Sequence, residues 1–507
     1  MLSRKPSYNY NLDYKSLAKT LDFTAALFNQ DEIKFTPILN MGKPTAENLK
    51  KFKKIYKNKN LLHYVIYLCS FVPRILSNIL IAIIHHIYSL GQMAEFNSQL
   101  KENKGIIFLS HFTGVNVQEN KEDSFFGSIP NVRNNDNAKN VVLLINHKKG
   151  RIKSRYIPIS TQTLSAQRIL LPKTTKTTTV IKILLEQFNL FYIIINKTFK
   201  LKNLNFSNKI ILLELALQQF CRPALANRYL LANIVAANKI IKGKKLIVTF
   251  EGHSYETYIA RQMKKIFSKL EISVYQFAPV VPAQHSFFTN IDLLPNNVKV
   301  FVTGQTIKQQ LTRNTRIKAN RIHIIGSNKN SQRLVPRNMN KKNIVVLFGA
   351  EGSPDSLEEF LKLSFFCAAH LKNAQFILRS HPAYIFKKAD FLKRIPEELT
   401  NVTLSENSLE ADLSLASFCV YRSSALGIQC LPYGVTPIHF SHLANGDLDP
   451  LSLTSLSHPQ INSSKELANF LQKFSSGVKG ENAVNLRVYR SIFNQYFHEI
   501  NEKKLRI

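Results

Sequence analysis

The sequence predicts an α/β protein with two Rossmann-like domains facing across a cleft and an extra helical region at the N-terminus. Three observations lead there. From about residue 104, short apolar runs alternate with amphipathic stretches, the pattern of a mainly parallel sheet with covering helices. The polar, basic stretch NKNSQRLVPRNMNKKN (328–343) interrupts this pattern, which then starts afresh. Finally, 507 residues exceed what one hydrophobic core usually organises.

In order, the first unit (101–328) has strand candidates at 105–112 (GIIFLSHF), 141–147, 191–197 (FYIIINK), 246–252, 274–280, 298–304 and 322–327, with a helix at 255–270. A linker at 329–342 leads to the second unit (343–482). Its strands are expected at 343–352, 375–382, 401–406, 415–424 and 435–440, with an amphipathic helix at 356–373. A final helix, 483–500, lies in the closing segment 483–507. Two such units joined by a hinge place a ligand cleft at the carboxyl ends of their strands.

Residues 1–100 form the helical N-terminal region. Within it, the apolar segment 61–90 follows the lysine-rich run KKFKKIYKNKN. Pro73 and Arg74 split the segment into runs of about 12 and 10 residues, each short of the roughly 20 that cross a bilayer. Buried helices, or helices lying in a membrane interface with lysines on lipid phosphates, fit better than a span. The first residues lack the apolar core of a signal peptide, so secretion by that route is not expected.

The net charge of +35 fits an anionic membrane surface or a phosphorylated ligand, and the abundance of Lys, Asn and Ile also fits AT-rich codon usage. Nucleic acid is not an expected partner, since no RNA-binding signature, zinc-finger spacing or helix-turn-helix is present. The five cysteines show neither CxxC pairs nor metal-ligand spacing and read as reduced thiols of a cytosolic protein. No G-x-G-x-x-G after a strand, G-x-x-x-x-G-K-[ST] or H-E-x-x-H occurs, so ordinary dinucleotide, phosphate-loop and zinc-peptidase chemistry lose support.

Three strand ends carry candidate chemistry. QFILRSHPAY ends on Arg379, Ser380, His381 and Pro382; guanidinium and imidazole N–H groups there can bind phosphate oxygens, or the strand simply enters a solvated loop. VYRSSALG places Arg422, Ser423 and Ser424 before a short helix, either an anion site or a plain N-cap. LIVTFEGHSYE sets Glu251 after a strand and before a glycine, as a general base or as a carboxylate favoured by the helix dipole together with Glu256. His253 beside it, His111 at another strand end, and Gly349 and Glu351 after the first strand of the second unit are secondary candidates. A metal site is not expected, because the histidines have no regular spacing to one another or to carboxylates.

A strand ending in HP, a later strand ending in SS and the following YGVTPI resemble the C-terminal domain of GT-B glycosyltransferases of the bacterial capsule and surface-polysaccharide type. In the sialyltransferase-like members, an acid pair with glycine carries the general base, and the HP and serine motifs bind the nucleotide and phosphate. His381–Pro382 and Ser423–Ser424 match the latter two; Glu251–Gly252 matches the first in part, with Phe250 where the first acid would stand. The resemblance spans roughly residues 240–440. It implies a metal-independent enzyme without a cofactor, moving a hexosyl, sialyl or Kdo group from a nucleotide-sugar donor to a glycan or lipid-linked glycan. Glu251 would be the base. The setting would be cytoplasmic, peripheral on the inner membrane, in capsule or lipopolysaccharide assembly. A CDP-polyol phosphotransferase or nucleotide-sugar epimerase of the same fold is an alternative reading, as is a non-catalytic carbohydrate-binding or membrane scaffold protein.

Overall fold

The computed structural model describes residues 12–36, 39, 61–112, 123–132, 139–146, 166–201, 204, 206–330, 344–352, 354–381, 386–441, 448–475 and 486–506. Three helices open the chain: α1 (Leu12–Ala26), α2 (Asp31–Lys34) and the long α3 (Leu61–Gln99). Pro73 lies inside α3 without ending it, so the two apolar runs on either side of Pro73 and Arg74 belong to one helix.

The first domain is a seven-stranded sheet in the order β3-β2-β1-β4-β5-β6-β7, formed by β1 (Ile106–Phe112), β2 (Val141–Asn146), β3 (Gln167–Leu170), β4 (Lys245–Thr249), β5 (Glu271–Gln276), β6 (Lys299–Val302) and β7 (Ile322–Ile324). Every pairing is parallel. Its strands are apolar on both faces because helices cover both: β4 is buried at all five positions. The covering helices are α4 (Thr177–Lys200), α5 (Phe206–Gln218), α6 (Arg222–Ile241), α7 (Ser254–Ile266), α8 (His285–Asp292) and α9 (Gln305–Asn314).

The run 191–197, expected as a strand, lies in the second half of α4. Its burial explains why: Val180, Ile183, Gln187, Leu190, Ile194 and Thr198 are buried, a spacing of three and four that only a helix places on one side. Strand β3 was not foreseen; QRIL is too short to show a period.

The second domain is a six-stranded parallel sheet in the order β10-β9-β8-β11-β12-β13. It comprises β8 (Val345–Gly349), β9 (Gln375–Arg379), β10 (Val402–Leu404), β11 (Phe418–Tyr421), β12 (Thr436–Phe440) and β13 (Gln460–Ile461). Helices α10 (Pro354–His370), α11 (Lys388–Leu392), α12 (Leu409–Leu415), α13 (Leu426–Gln429) and α14 (Ser464–Ser475) surround it. Cys367, Cys419 and Cys430 are buried free thiols.

The two predicted domains are thus present, and α15 (Leu486–Tyr496) with the residues after it ties them together. Tyr489, Ile492, Phe493, Tyr496 and Phe497 are buried. The chain then returns to the first domain: His498 N–H donates to the Thr303 carbonyl, Ser327 N–H to that of His498 and Asn501 N–H to that of Ile325, each at 2.9 Å. Gly326 allows this approach. Its φ is +90° and a Cβ there would lie 2.1 Å from the Glu499 carbonyl oxygen, so only glycine fits. At the carboxyl edges of the sheets, Val281 and Ala283 after β5 pack on Leu448 after β12, so the two edges face each other.

Candidate functional site

In each sheet the strand order reverses once, between β1 and β4 in the first domain and between β8 and β11 in the second. Beyond the carboxyl ends of such a strand pair the flanking connections part to opposite faces, leaving a crevice. The sequence candidates fall at these two places.

At the first, β4 ends at Thr249, and the chain turns through Phe250, Glu251 and Gly252 into α7. Phe250 is fully buried, edge-on to Phe287 at 5.4 Å between ring centroids. Glu251 points the other way, its side chain 34% exposed, with its carboxylate 3.4 Å from His253 Nε2. The turn is held from several sides. Glu256, buried, accepts from the N–H groups of Glu251 (3.0 Å), Gly252 (2.8 Å) and His253 (2.8 Å). The Gln284 amide donates to the Glu251 carbonyl at 2.7 Å and that of Asn290 to the Gly252 carbonyl at 2.8 Å. Burial pushes the Glu256 carboxyl up to about 8; the charge of Glu251 adds to this, while His253 and the backbone donors oppose it. Gly252 has a φ of +85°, and a Cβ there would come within 2.4 Å of the Phe287 Cα.

His111 ends β1 and joins this network. Its Nε2 lies 3.0 Å from Thr249 Oγ1 and 3.2 Å from Tyr255 Oη. Tyr255 in turn stacks on the His253 ring at 5.7 Å. Below it, Asp123 accepts from Ser110 Oγ (2.8 Å) and from the N–H groups of Phe125 and Phe126 (2.9 and 2.8 Å). Lys329, just before the inter-domain stretch, approaches the Phe277 carbonyl (3.4 Å) and the Phe497 ring (5.0 Å). Desolvation lowers its ammonium to about 8, and the Glu251 charge opposes that shift.

At the second crevice, Glu351 follows β8 and its carboxylate accepts from both the N–H (3.1 Å) and the hydroxyl of Ser423, which follows β11. Arg422 is 6% exposed. It pairs with Glu359 at 2.6 Å and lies 3.9 Å from Glu351, between the rings of Phe360 and Phe440 at 5.6 and 5.4 Å. Gly349 packs on Leu426, where a Cβ would lie 2.1 Å from Cδ2. Ser424 Oγ accepts from the Leu426 N–H at 3.2 Å, but the residue before the helix is Ala425, without a side-chain cap, so Ser424 is not the N-cap that the sequence offered. The helix behind it, α13, has four residues and starts two residues later than expected, too short for much of a dipole.

Arg379 ends β9 and is bound on its other side, to Asp412 (2.7 Å), the Asn407 carbonyl (2.9 Å) and Ser405 (3.3 Å); Asp412 is completely buried. Ser380 and His381 continue from β9 half-buried, and Pro382 lies outside the described residues. Since β9 and β11 flank β8, His381 and Ser423 share one edge. Two strand spacings separate their backbones, about 10 Å, with Glu351 between. Hence His381, Ser423, Ser424 and Glu351 lie along the carboxyl edge of the second sheet and Glu251, His253 and His111 on the facing one, while Arg379 and Arg422 are engaged inside their own domain. Among the described residues no group of three or more His, Cys, Asp or Glu could hold a metal ion.

Tyr255, Asp123 and Lys329 carry no signal of their own in the sequence, because each also has a partner far along the chain: His111, Ser110 and Phe277, at separations of 144, 13 and 52 residues. Glu256, read there only as a dipole-favoured acid, was partly legible as the fourth residue of a capping box starting at His253, which α7 indeed forms.

No family model matches the chain, and no curated protein does. Among solved structures it is similar to sucrose-phosphate synthase from Thermosynechococcus elongatus (12% identity, 78% of this chain and 95% of that one, TM-score 0.44). It is also similar to UDP-GlcNAc 2-epimerase from Neisseria meningitidis, a structure bound to UDP-GlcNAc (8%, 79% and 98%, TM-score 0.43), and to the glycosyltransferase SnogD from Streptomyces nogalater (10%, 80% and 99%, TM-score 0.43). Likenesses this remote carry no function to the chain, whose two parallel sheets stand on their own strand pairings.

Proposed function

We propose that the protein transfers a sugar from a nucleotide-activated donor to a hydroxyl of a glycan or lipid-linked glycan, without a metal, on the cytoplasmic side of surface-polysaccharide assembly. The observation that carries the reading is Glu251: a solvent-reachable carboxylate at a strand-order reversal, on a turn pinned by Glu256, Gln284 and Asn290, opposite a second reversal lined by hydroxyls and an imidazole. A fixed base of this kind takes the proton from an acceptor hydroxyl as its oxygen attacks the anomeric carbon. The C–O bond to the nucleotide breaks with its electron pair, and the charge on the departing phosphate is met by His381, Ser423 and Ser424. Glu351, a carboxylate that already accepts from a hydroxyl, suits ribose hydroxyls better than phosphate. Arg379 and Arg422 shape the edge through Asp412, Glu351 and Glu359 rather than by touching the donor.

Two measurements test this. A thermal-shift panel of CMP, CDP, UDP and GDP identifies the donor class, and incubation with the matching sugar nucleotides, followed by mass analysis, identifies the product. Glu251→Gln should lower transfer by about 10² to 10⁴-fold while the nucleotide still raises the melting temperature. Full turnover by that variant refutes the base. A polyol phosphate product, an epimerised donor with no acceptor consumed, or stabilisation without turnover assigns the chain to the other readings.

A further inference from the structure

The outer flank of the first domain carries an apolar surface that the proposed chemistry leaves unused. Of the nineteen exposed large apolar side chains among the described residues, thirteen lie on α3 and α4. On α3 they are Val72, Leu76, Leu80, Ile81, Ile83, Ile84, Ile87 and Leu90; on α4 they are Ile181, Leu185, Phe188, Tyr192 and Phe199. Val72, Leu76, Leu80, Ile83, Ile87 and Leu90 on α3 and Ile181, Leu185, Phe188 and Tyr192 on α4 follow steps of three and four, which makes two outward stripes, that on α3 broadened by Ile81 and Ile84. Scattered exposed apolar residues need no explanation, but this concentration does.

The helices belong to one surface. His86 on α3 reaches Thr174 (2.6 Å) and Thr177 at the start of α4 (3.1 Å). Ala82 packs on the cluster of Val180, Ile183, Leu225 and Tyr229, and Ile75 on the one containing Leu190 and Ile194. Rising α3 numbers thus meet falling α4 numbers, so the helices run antiparallel. From Val72 to Ile84 the α3 stripe extends about 18 Å, before a bend of 49° between Ile84 and Ser89.

We propose that this face docks the protein on an anionic lipid bilayer, with both helices lying in the interface. The occupant follows from charge. Lys176, Lys182 and Lys200 are exposed beside the α4 stripe. Each helix carries a single acid: Glu95 on α3, and Glu186 on α4, which is paired with Arg228. The chain as a whole is +35. An α4 stripe edged by lysines, beside an α3 stripe whose one Lys or Arg is Arg74, matches an apolar layer beneath anionic headgroups. A second copy of the chain would set Lys176, Lys182 and Lys200 against the same lysines. A partner protein matching these stripes would need acids at their edges, a pattern that anionic lipid supplies without shape recognition.

Lying on the membrane, rather than crossing it, follows from the opposite side of α4. The helix is long and apolar enough for a span, yet it buries Gln187 and Thr198 and carries the Glu186–Arg228 pair. Crossing would move these groups from protein into hydrocarbon.

The test is sedimentation of the full chain with phosphatidylcholine vesicles, with and without phosphatidylglycerol. Binding is expected to the anionic vesicles, weakened by salt and weak on neutral ones. The double variant Leu80→Glu, Leu185→Glu should lose at least about tenfold in partitioning, with unchanged circular dichroism and melting temperature because both side chains point outward. Lys182→Glu with Lys200→Glu should abolish the anionic preference while retaining the fold. Absence of vesicle binding, equal binding to neutral vesicles, or unaltered binding by the leucine variant overturns the proposal. So does self-association removed by that variant without vesicle binding, or retention of the chain in membranes after alkaline carbonate washing.

Discussion

Asp449 is the position where one substitution should loosen the junction of the two domains. The carboxylate is 2% exposed and accepts four hydrogen bonds: from Tyr421 Oη (2.7 Å), the Leu451 N–H (2.9 Å), His458 Nε2 (2.7 Å) and Gln460 Nε2 (3.0 Å). His458 Nδ1 lies 3.1 Å from the Leu456 carbonyl, so both ring nitrogens face acceptors and the imidazolium is the form that satisfies both. Burial disfavours the charge on Asp449, but His458, His439 and Tyr421 outweigh it and hold the carboxyl down at about 2. The same burial works against a charged His458, and Asp449 overrides it, raising the imidazole. Next in the chain, the Pro450 carbonyl accepts from Tyr496 of α15. The drop from 3.8 to about 2 corresponds to about 2 kcal/mol of stability. It is present above pH 3.8 and lost as the pH falls through about 2; the contribution of His458 is complete below pH 6.5 and lost as the pH rises through its raised folded value. The pair therefore stabilises most between about pH 4 and 6.5. Asp449→Asn removes the charge and aims an amide donor at one of the donors, at a cost of about 3–5 kcal/mol. Because the chain has no tryptophan, unfolding in urea is best followed by far-UV circular dichroism across pH 3 to 9. A variant that unfolds within about 0.5 kcal/mol of the parent, or keeps the parent's pH profile, refutes the assignment.

Other expectations concern the site. Gly252→Ala forces a side chain into a φ of +85° against the Phe287 backbone and should cost upwards of about 2 kcal/mol in urea unfolding, with loss of transfer because Glu251 moves with the turn. Glu351→Gln keeps an acceptor for ribose but weakens its bond to Ser423; nucleotide affinity should fall about tenfold by calorimetry, and an unchanged affinity removes Glu351 from the donor site. Arg379→Lys breaks contacts with Asp412, Asn407 and Ser405 and should lower the melting temperature, with nucleotide affinity preserved in the folded fraction; a selective loss of affinity would return Arg379 to the phosphate.

What the sequence made legible follows from range. Strands buried on both faces, such as β1, β4 and β8, show themselves as apolar runs because both neighbours of every residue are apolar. The run at 191–197 has the same composition, but its helical partners Val180, Ile183 and Gln187 lie upstream, outside a window of seven residues. Strand-end residues such as Glu251 and Ser423 were legible because a polar group after an apolar run is a local event. Whether such a group is available to a ligand is not local. Arg379 meets Asp412 thirty-three residues on, and Ser423 meets Glu351 seventy-two residues back, separations that no spacing rule connects.

Phe250 shows how much one residue of phase decides. In the acid-pair pattern that this stretch resembles, position 250 would carry the first acid. Here Phe250 N–H donates to the Tyr275 carbonyl at 2.8 Å, continuing the β4–β5 ladder, and its side chain enters the core against Phe287. Alternation then turns Glu251 outward. An acid at 250 would be buried without a partner, a cost of several kcal/mol, so the phenylalanine completes the core that holds the turn. In the proposed reaction the base would be Glu251, with His253 3.4 Å from its carboxylate and the buried Glu256 carboxyl holding the N–H groups of its turn. An acceptor hydroxyl would then meet a carboxylate whose backbone is fixed by Gln284 and Asn290 while its side chain stays 34% exposed.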